Sequence, residues 1–217
     1  MEAFILIPVL ICSVVVHEVA HAWQARREGD DTAEKLGRIT LNPISHLDPL
    51  GSFIVPLALH LSGTGFLFGW AKPVPVDPRN YRNYVAGDIR VSLAGIVSNL
   101  ILAVLATLGM AVVVKLESLV GPLGGVMDVA FQALWYALFI NLILAFFNLI
   151  PIPPLDGSHV LAHLLPQELA MGYRRMGRYG MLVLMGIMWV FPRAFSTLLW
   201  PVFFFQGLAD MFIRLWI

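Results

Sequence analysis

The run His17-Glu18-Val19-Ala20-His21 places two imidazoles and a carboxylate within five residues of chain. On a helix, positions i and i+4 share one face about 6 Å apart along the axis, so both rings can reach a single cation. Imidazole suits Zn²⁺, and a carboxylate beside such a pair can take the proton of a water at the metal. The chain around these residues is predominantly apolar from Phe4 to Gln24. Ionisable groups inside a membrane span are costly and mark functional sites. Packing alone gives no reason for three of them in five positions.

A catalytic zinc takes three protein ligands and keeps one position open. Asp156 is the candidate third ligand. It stands in Asn148-Leu149-Ile150-Pro151-Ile152-Pro153-Pro154-Leu155-Asp156-Gly157, just past another apolar run. The three prolines impose an extended approach that fixes the direction of the carboxylate. An isolated Asp-Gly is otherwise an ordinary turn or a helix cap, so the choice depends on where the membrane places these residues.

The elements that must position this chemistry are membrane helices. Of 217 residues, 59% are hydrophobic and 13% charged, against about 25% charged in a typical soluble domain. The expected fold is an all-α polytopic membrane protein with about five to six transmembrane helices. The spanning candidates are Phe4 to Gln24, Arg90 to Lys115, Val126 to Ile150, Tyr179 to Phe191 and Ala194 to Trp216. A further segment, Leu50 to Phe68, is interrupted by Pro56, Gly63 and Gly65 and carries His60. If it enters the membrane and returns, 12 of the 14 Lys and Arg residues lie on one side; if it crosses, the split is 6 against 8. Cytoplasmic loops collect Lys and Arg, so the re-entrant layout is favoured, with the N-terminus outside. That layout brings His17, His21 and Asp156 to similar depth; the other puts them on opposite sides of the bilayer. Gly37 to Leu41 and Pro73 to Val76 have strand character and are candidates for a short membrane-associated β-hairpin or edge strands, the second confined to an edge by its prolines.

No polar stretch is long enough for a soluble insertion, so residues 1–217 read as one membrane-embedded domain. The N-terminal run lacks the basic leader and cleavage site of a signal peptide and reads as a permanent helix. Zero net charge gives no reason to expect nucleic acid as a partner. The single cysteine, Cys12, excludes an internal disulfide and a Cys-rich metal site.

HEVAH in the first apolar segment and NLIPIPPLDG after a later one resemble the site-2 protease family of intramembrane metalloproteases. The stretches Gly37 to Gly51 (GRITLNPISHLDPLG) and Gly69 to Val76 (GWAKPVPV) are similar to its compact prokaryotic members. These motifs extend from residue 17 to residue 157. The resemblance implies that His17, His21 and Asp156 bind one zinc and that Glu18 is the catalytic acid/base. It further implies cleavage of a peptide bond in or near the transmembrane helix of a membrane-protein substrate, such as an anti-sigma factor or a remnant signal peptide. The expected location is a prokaryotic cytoplasmic membrane, and the Lys and Arg count alone directs the active site toward the cytoplasm. Two positions depart from the family pattern. Ser158 stands where a second glycine is common, and Gly95-Ile96-Val97-Ser98-Asn99 lacks the proline that often follows that glycine. No PDZ or CBS module is present.

Other residues carry weaker expectations. Asn99 and Asn148 are candidates for binding substrate backbone or an oxyanion, against the blander role of interhelical hydrogen bonding; Asn141 reads as structural. His159 and His163 repeat the i, i+4 spacing and read as surface histidines ahead of a second metal site, while His46 and His60 have no assigned role. The two strand-like stretches could hold an unwound substrate by strand addition. Trp200, Phe203, Phe204, Phe205 and Trp216 read as interfacial anchors. The alternative function is a membrane metal transporter or channel, with His and Asp lining an ion path.

Overall fold

In hydrocarbon every backbone polar group must be satisfied internally, so apolar runs of this length close into helices. The computed structural model describes residues 2–55, 58, 61, 71–121, 125–191, 193 and 197–216. Its helices are α1 (Glu2–Glu28), α2 (Thr32–Lys35), α3 (Tyr84–Val120), α4 (Gly125–Asn148), α5 (Asp156–Leu164), α6 (Gln167–Val190) and α7 (Trp200–Arg214). Among the described residues three helical stretches are long and apolar enough to cross a membrane: Phe4–Glu28, Tyr84–Val120 and Gly125–Asn148.

Two further expected spans are not among these three. Tyr179 to Phe191 is the second half of α6, whose first half carries Glu168, Arg174, Arg175 and Arg178. Within Ala194 to Trp216 the described regular helix is α7, with 15 residues, and residues 194–196 lie outside the described ones. Most of Leu50 to Phe68, including His60, lies outside the described residues; its start, Pro49–Ile54, is a π-helical turn capped by the Asp48 side chain.

The expected strands do not form: the described residues contain none. Residues 71–77 form no regular element, and Pro73 and Pro75 have no N–H to give a ladder. Around Gly37 the groups are spent on local turns, with Arg38 N donating to Ala33 O and the His46 ring to Thr40 O.

Helices α1, α3 and α4 pack together, and α7 closes against α3 and α4. Ala103, Ala106 and Met110 of α3 meet Leu138 and Leu142 of α4 and Val202, Ala209 and Ile213 of α7. Alanines at such contacts let membrane helices approach closely. Within the α1, α3 and α4 contact lies a polar layer of Ser13, Asn99 and Asn141, all buried.

A second polar knot ties the end of α1 to the loops. Glu28 receives Arg90 Nε and Nη2, both at 2.8 Å. Asp30, fully buried, accepts from Thr32 N (3.1 Å), Thr32 Oγ1 (2.5 Å), Asn80 Nδ2 (2.9 Å) and Asp77 N (2.7 Å). Burial pushes its carboxyl up, but the Thr32 hydroxyl, the Asn80 amide and the two backbone amides outweigh this and hold it below the usual range. Asp30→Ala strands these donors and should lower the unfolding free energy by about 2–4 kcal/mol. Thermal unfolding in detergent checks this; an unchanged midpoint would refute it. The pH dependence follows in sign. A depressed carboxyl stabilises the fold fully above its unfolded value of about 4, and the contribution disappears as pH falls through the lower folded value. The native chain should therefore lose stability more steeply than Asp30→Asn on acidification below about pH 4.

Candidate metal centre

Helix α1 sets His17 and His21 one turn apart, with their Nε2 atoms 3.0 Å from each other. The prolines after α4 turn the chain back, and Asp156 is the first residue of α5. α6 holds that return in place: Leu184 packs on Ile150 and Leu155, and Gly180 lies so close to the Pro153 carbonyl that any Cβ would overlap it. Asp156 Oδ2 thereby reaches His17 Nε2 at 3.2 Å and His21 Nε2 at 3.4 Å. The three expected ligands, from two elements 135 residues apart by number (156 less 21), meet as one group.

Hydrogen bonds fix which nitrogen of each ring is available. His21 Nδ1 lies 2.7 Å from Val91 O, a pure acceptor, so Nδ1 carries the proton. For His17 the orientation propagates from a backbone carbonyl. Asn141 Nδ2 donates to Ala137 O, so its Oδ1 accepts from Asn99 Nδ2 at 2.7 Å. Asn99 Oδ1 then faces His17 Nδ1 at 2.6 Å and accepts its proton. In the neutral form that metal binding requires, both rings present Nε2 lone pairs to each other and to the buried Asp156 Oδ2. Three converging lone pairs repel unless a cation lies between them. Tetrahedral zinc with bonds of about 2.0–2.1 Å spaces its ligand atoms about 3.3 Å apart, in line with 3.0, 3.2 and 3.4 Å here. The donor set fits zinc.

Asn99 is thus the orienting partner of His17, and such partners are commonly worth 10–100-fold in metal affinity. Asn99→Ala should weaken zinc binding by about that factor, read by competition with a chromogenic chelator. Equal affinity would contradict the assignment.

Gly95, noted in the sequence only for the proline missing after it, lies against the two rings. A Cβ there would lie 2.5 Å from both His17 Cε1 and His21 Nε2, so α3 can back the two rings only with glycine at this point. Glu18, half-buried beside the ligands, accepts from Val74 N at 2.8 Å through Oε2. Asn148, at the end of α4, is half-buried, and its Nδ2 donates to Leu144 O of its own helix.

The second histidine pair bonds to α3. The His163 side chain is covered, with Nε2 2.7 Å from Asp88 of α3, and His159 Nδ1 lies 3.5 Å from the same carboxylate. Asp88 raises the His159 imidazole above its ordinary value against the opposing effect of burial. His159 is exposed, as the surface reading expects, while His163 ties α5 to α3. His46 is buried and bonded to Thr40 O.

Residues 4–191 match the family model for peptidase family M50. The chain is 39% identical over 199 residues to "Putative zinc metalloprotease YwhC" of Bacillus subtilis, covering 91% of this chain and 84% of that protein. Two proteins named in the same terms, both Rip2, also match. That of Mycolicibacterium smegmatis is 30% identical over 94% of this chain and 74% of its own length. That of Mycobacterium tuberculosis is 35% identical over 72% and 56%. No solved structure gives a significant match. One family accounts for the chain from the first spanning helix to the end of α6: it belongs to peptidase family M50.

Proposed function

We propose that this integral membrane protein is an intramembrane zinc metalloprotease that hydrolyses a peptide bond in or near the transmembrane helix of a membrane-protein substrate. The observation that carries this reading is the convergence of His17, His21 and Asp156 on one point beside Glu18, within a helix apolar enough to span a bilayer. His17, His21 and Asp156 are the residues that would hold zinc. When bound, zinc supplies Lewis acidity, which makes water nucleophilic near neutral pH and polarises a carbonyl. Glu18 takes the proton of the attacking water and delivers it to the leaving amine. His17 and His21 keep their protons on Nδ1, held by Asn99 and Val91 O, so their Nε2 atoms stay committed to the metal.

Water must reach this point. A cavity of about 470 Å³ lined by Asp88, Ser158, His159 and Arg174 borders α5 two residues past Asp156 and supports a route from the surface. We assign Asn99 to holding His17, since both of its polar groups are spent, and Asn148, at the end of α4, to contact with substrate backbone. The re-entrant layout, with the N-terminus outside and the centre toward the cytoplasm, is part of the same proposal. Transport is the weaker reading: an ion path needs successive ligand groups, and among the described residues one group has metal-holding spacing.

The test is cleavage of single-span substrates by the purified protein in detergent or liposomes. Cleavage that stops with a chelator and returns with zinc supports the reading. Zinc uptake into liposomes without cleavage would contradict it.

A further inference from the structure

The irregular run 71–77 meets α1 beside the metal centre and is held at successive backbone groups. Lys72 N donates to His46 O at 2.9 Å. Arg38 Nη2 donates to Lys72 O at 3.1 Å and reaches Pro73 O at 3.4 Å. The Val74 side chain is buried against Ala22 and Ala33, with Ile39 beside it. Ala22 lies one helical turn beyond Glu18, so the same residue that packs on Ala22 brings its N–H to Glu18 Oε2 at 2.8 Å. Pro73 and Pro75 have no N–H, which leaves Val74 as the single donor in the three residues. That donor is spent on the glutamate and is not offered to a neighbouring strand.

We infer that Val74 is a positioning residue whose main-chain N–H aims the Glu18 carboxylate at the reacting water. The inference rests on the protease reading above. A glutamate side chain has three rotatable bonds, and in a catalytic base that freedom is lost rate. Pinning Oε2 from the flank leaves Oε1 as the oxygen that exchanges the proton. The prolines and the Arg38 and His46 contacts make the donor rigid, and a misplacement of about 1 Å at a reacting group can cost up to about a hundredfold. The contact is made by backbone, so its effect does not depend on the identity of the side chain beyond its packing.

The test replaces Val74 by its α-hydroxy acid, which keeps the side chain and turns the amide into an ester without the N–H. The same change at Val76 serves as the control. The ester at 74 should lower kcat about tenfold to a hundredfold, with KM and zinc content as in the native protein; the ester at 76 should leave kcat near native. A kcat within about twofold of native for the ester at 74 overturns the proposal, on the scale of misplacement effects above. A second readout needs no turnover: in ¹⁵N-valine-labelled protein the Val74 amide should exchange slowly, and at least about tenfold faster in Glu18→Ala, as for any amide that loses its acceptor. Equal exchange in the two proteins also overturns it. A native chain that cuts nothing sinks the protease reading and this one with it. A native chain that cuts, with a fully active ester at 74, sinks this one alone.

Discussion

Glu18→Gln should lower turnover of a single-span substrate by about three orders of magnitude, within the range that general acid–base groups contribute, and leave the zinc in place. Glutamine has nearly the same shape, and its side-chain oxygen can still accept from Val74 N. It cannot take a proton at neutral pH. The ligand set of His17, His21 and Asp156 does not include position 18, so metal content separates loss of the base from loss of the site. Parallel measurement of kcat and zinc per chain reads both. Normal turnover with zinc bound would remove Glu18 from the mechanism.

Gly95→Ala should have an effect of comparable size through the opposite route, by destroying the metal centre with every ligand intact. The added Cβ would lie 2.5–2.6 Å from His17 Cε1, His21 Nε2 and His21 Cε1, about 1 Å inside ordinary van der Waals contact. Flexible side chains can often move away from such a clash. These two rings cannot do so freely, because their Nδ1 atoms are tied to Asn99 and Val91 O, and His17 is buried and His21 half-buried where α1 meets α3. Either the rings rotate and break those bonds, or α3 moves away from α1. In both cases Nε2 leaves the position that Asp156 meets. Zinc per chain should fall to a small fraction of native, while Gly109→Ala, where α3 meets the flexible end of Leu134 at 3.0 Å, should retain it. Native zinc content in Gly95→Ala would mean that the rings are less constrained than their hydrogen bonds indicate.

The contrast between these two positions says which information the chain carries locally. His17, Glu18 and His21 were legible because a helix brings i and i+4 together without help from the rest of the fold. Asp156 was legible for a different reason: the asymmetry of Lys and Arg placed it at the depth of the histidines, and the prolines before it fixed its approach. The roles of Gly95, Val74 and Asp88 were not legible, because they exist only across 56 to 78 residues of chain. A glycine in an apolar helix, a valine between prolines and an aspartate near a helix start each have ordinary explanations. Asn99 had been offered for substrate, and its neighbours, His17 on one side and Asn141 on the other, account for both of its polar groups instead.

The fold was legible to a similar degree. Helical class and the three longest apolar segments follow from hydropathy alone. Of the five to six spans expected, three are long and apolar enough among the described residues; α6 carries charges in its first half and α7 has 15 described residues. The sequence reading confines Pro73 to Val76 to a sheet edge because of its prolines, and among the described residues no strand forms there. Those prolines turned out to matter most, since they leave Val74 N–H as the one donor there and aim it at Glu18.

Zinc per chain, measured after purification in mild detergent without chelators, tests the central claim most directly when native protein and Asp156→Ala are compared. Asp156 is the ligand that joins α5 to α1, and its Oδ2 meets only the two histidine Nε2 atoms, at 3.2 and 3.4 Å. The account predicts near one zinc in the native chain and far less in the variant. Zinc that survives the loss of Asp156 would contradict the three-ligand centre, and a native chain without zinc would contradict the metalloprotease itself.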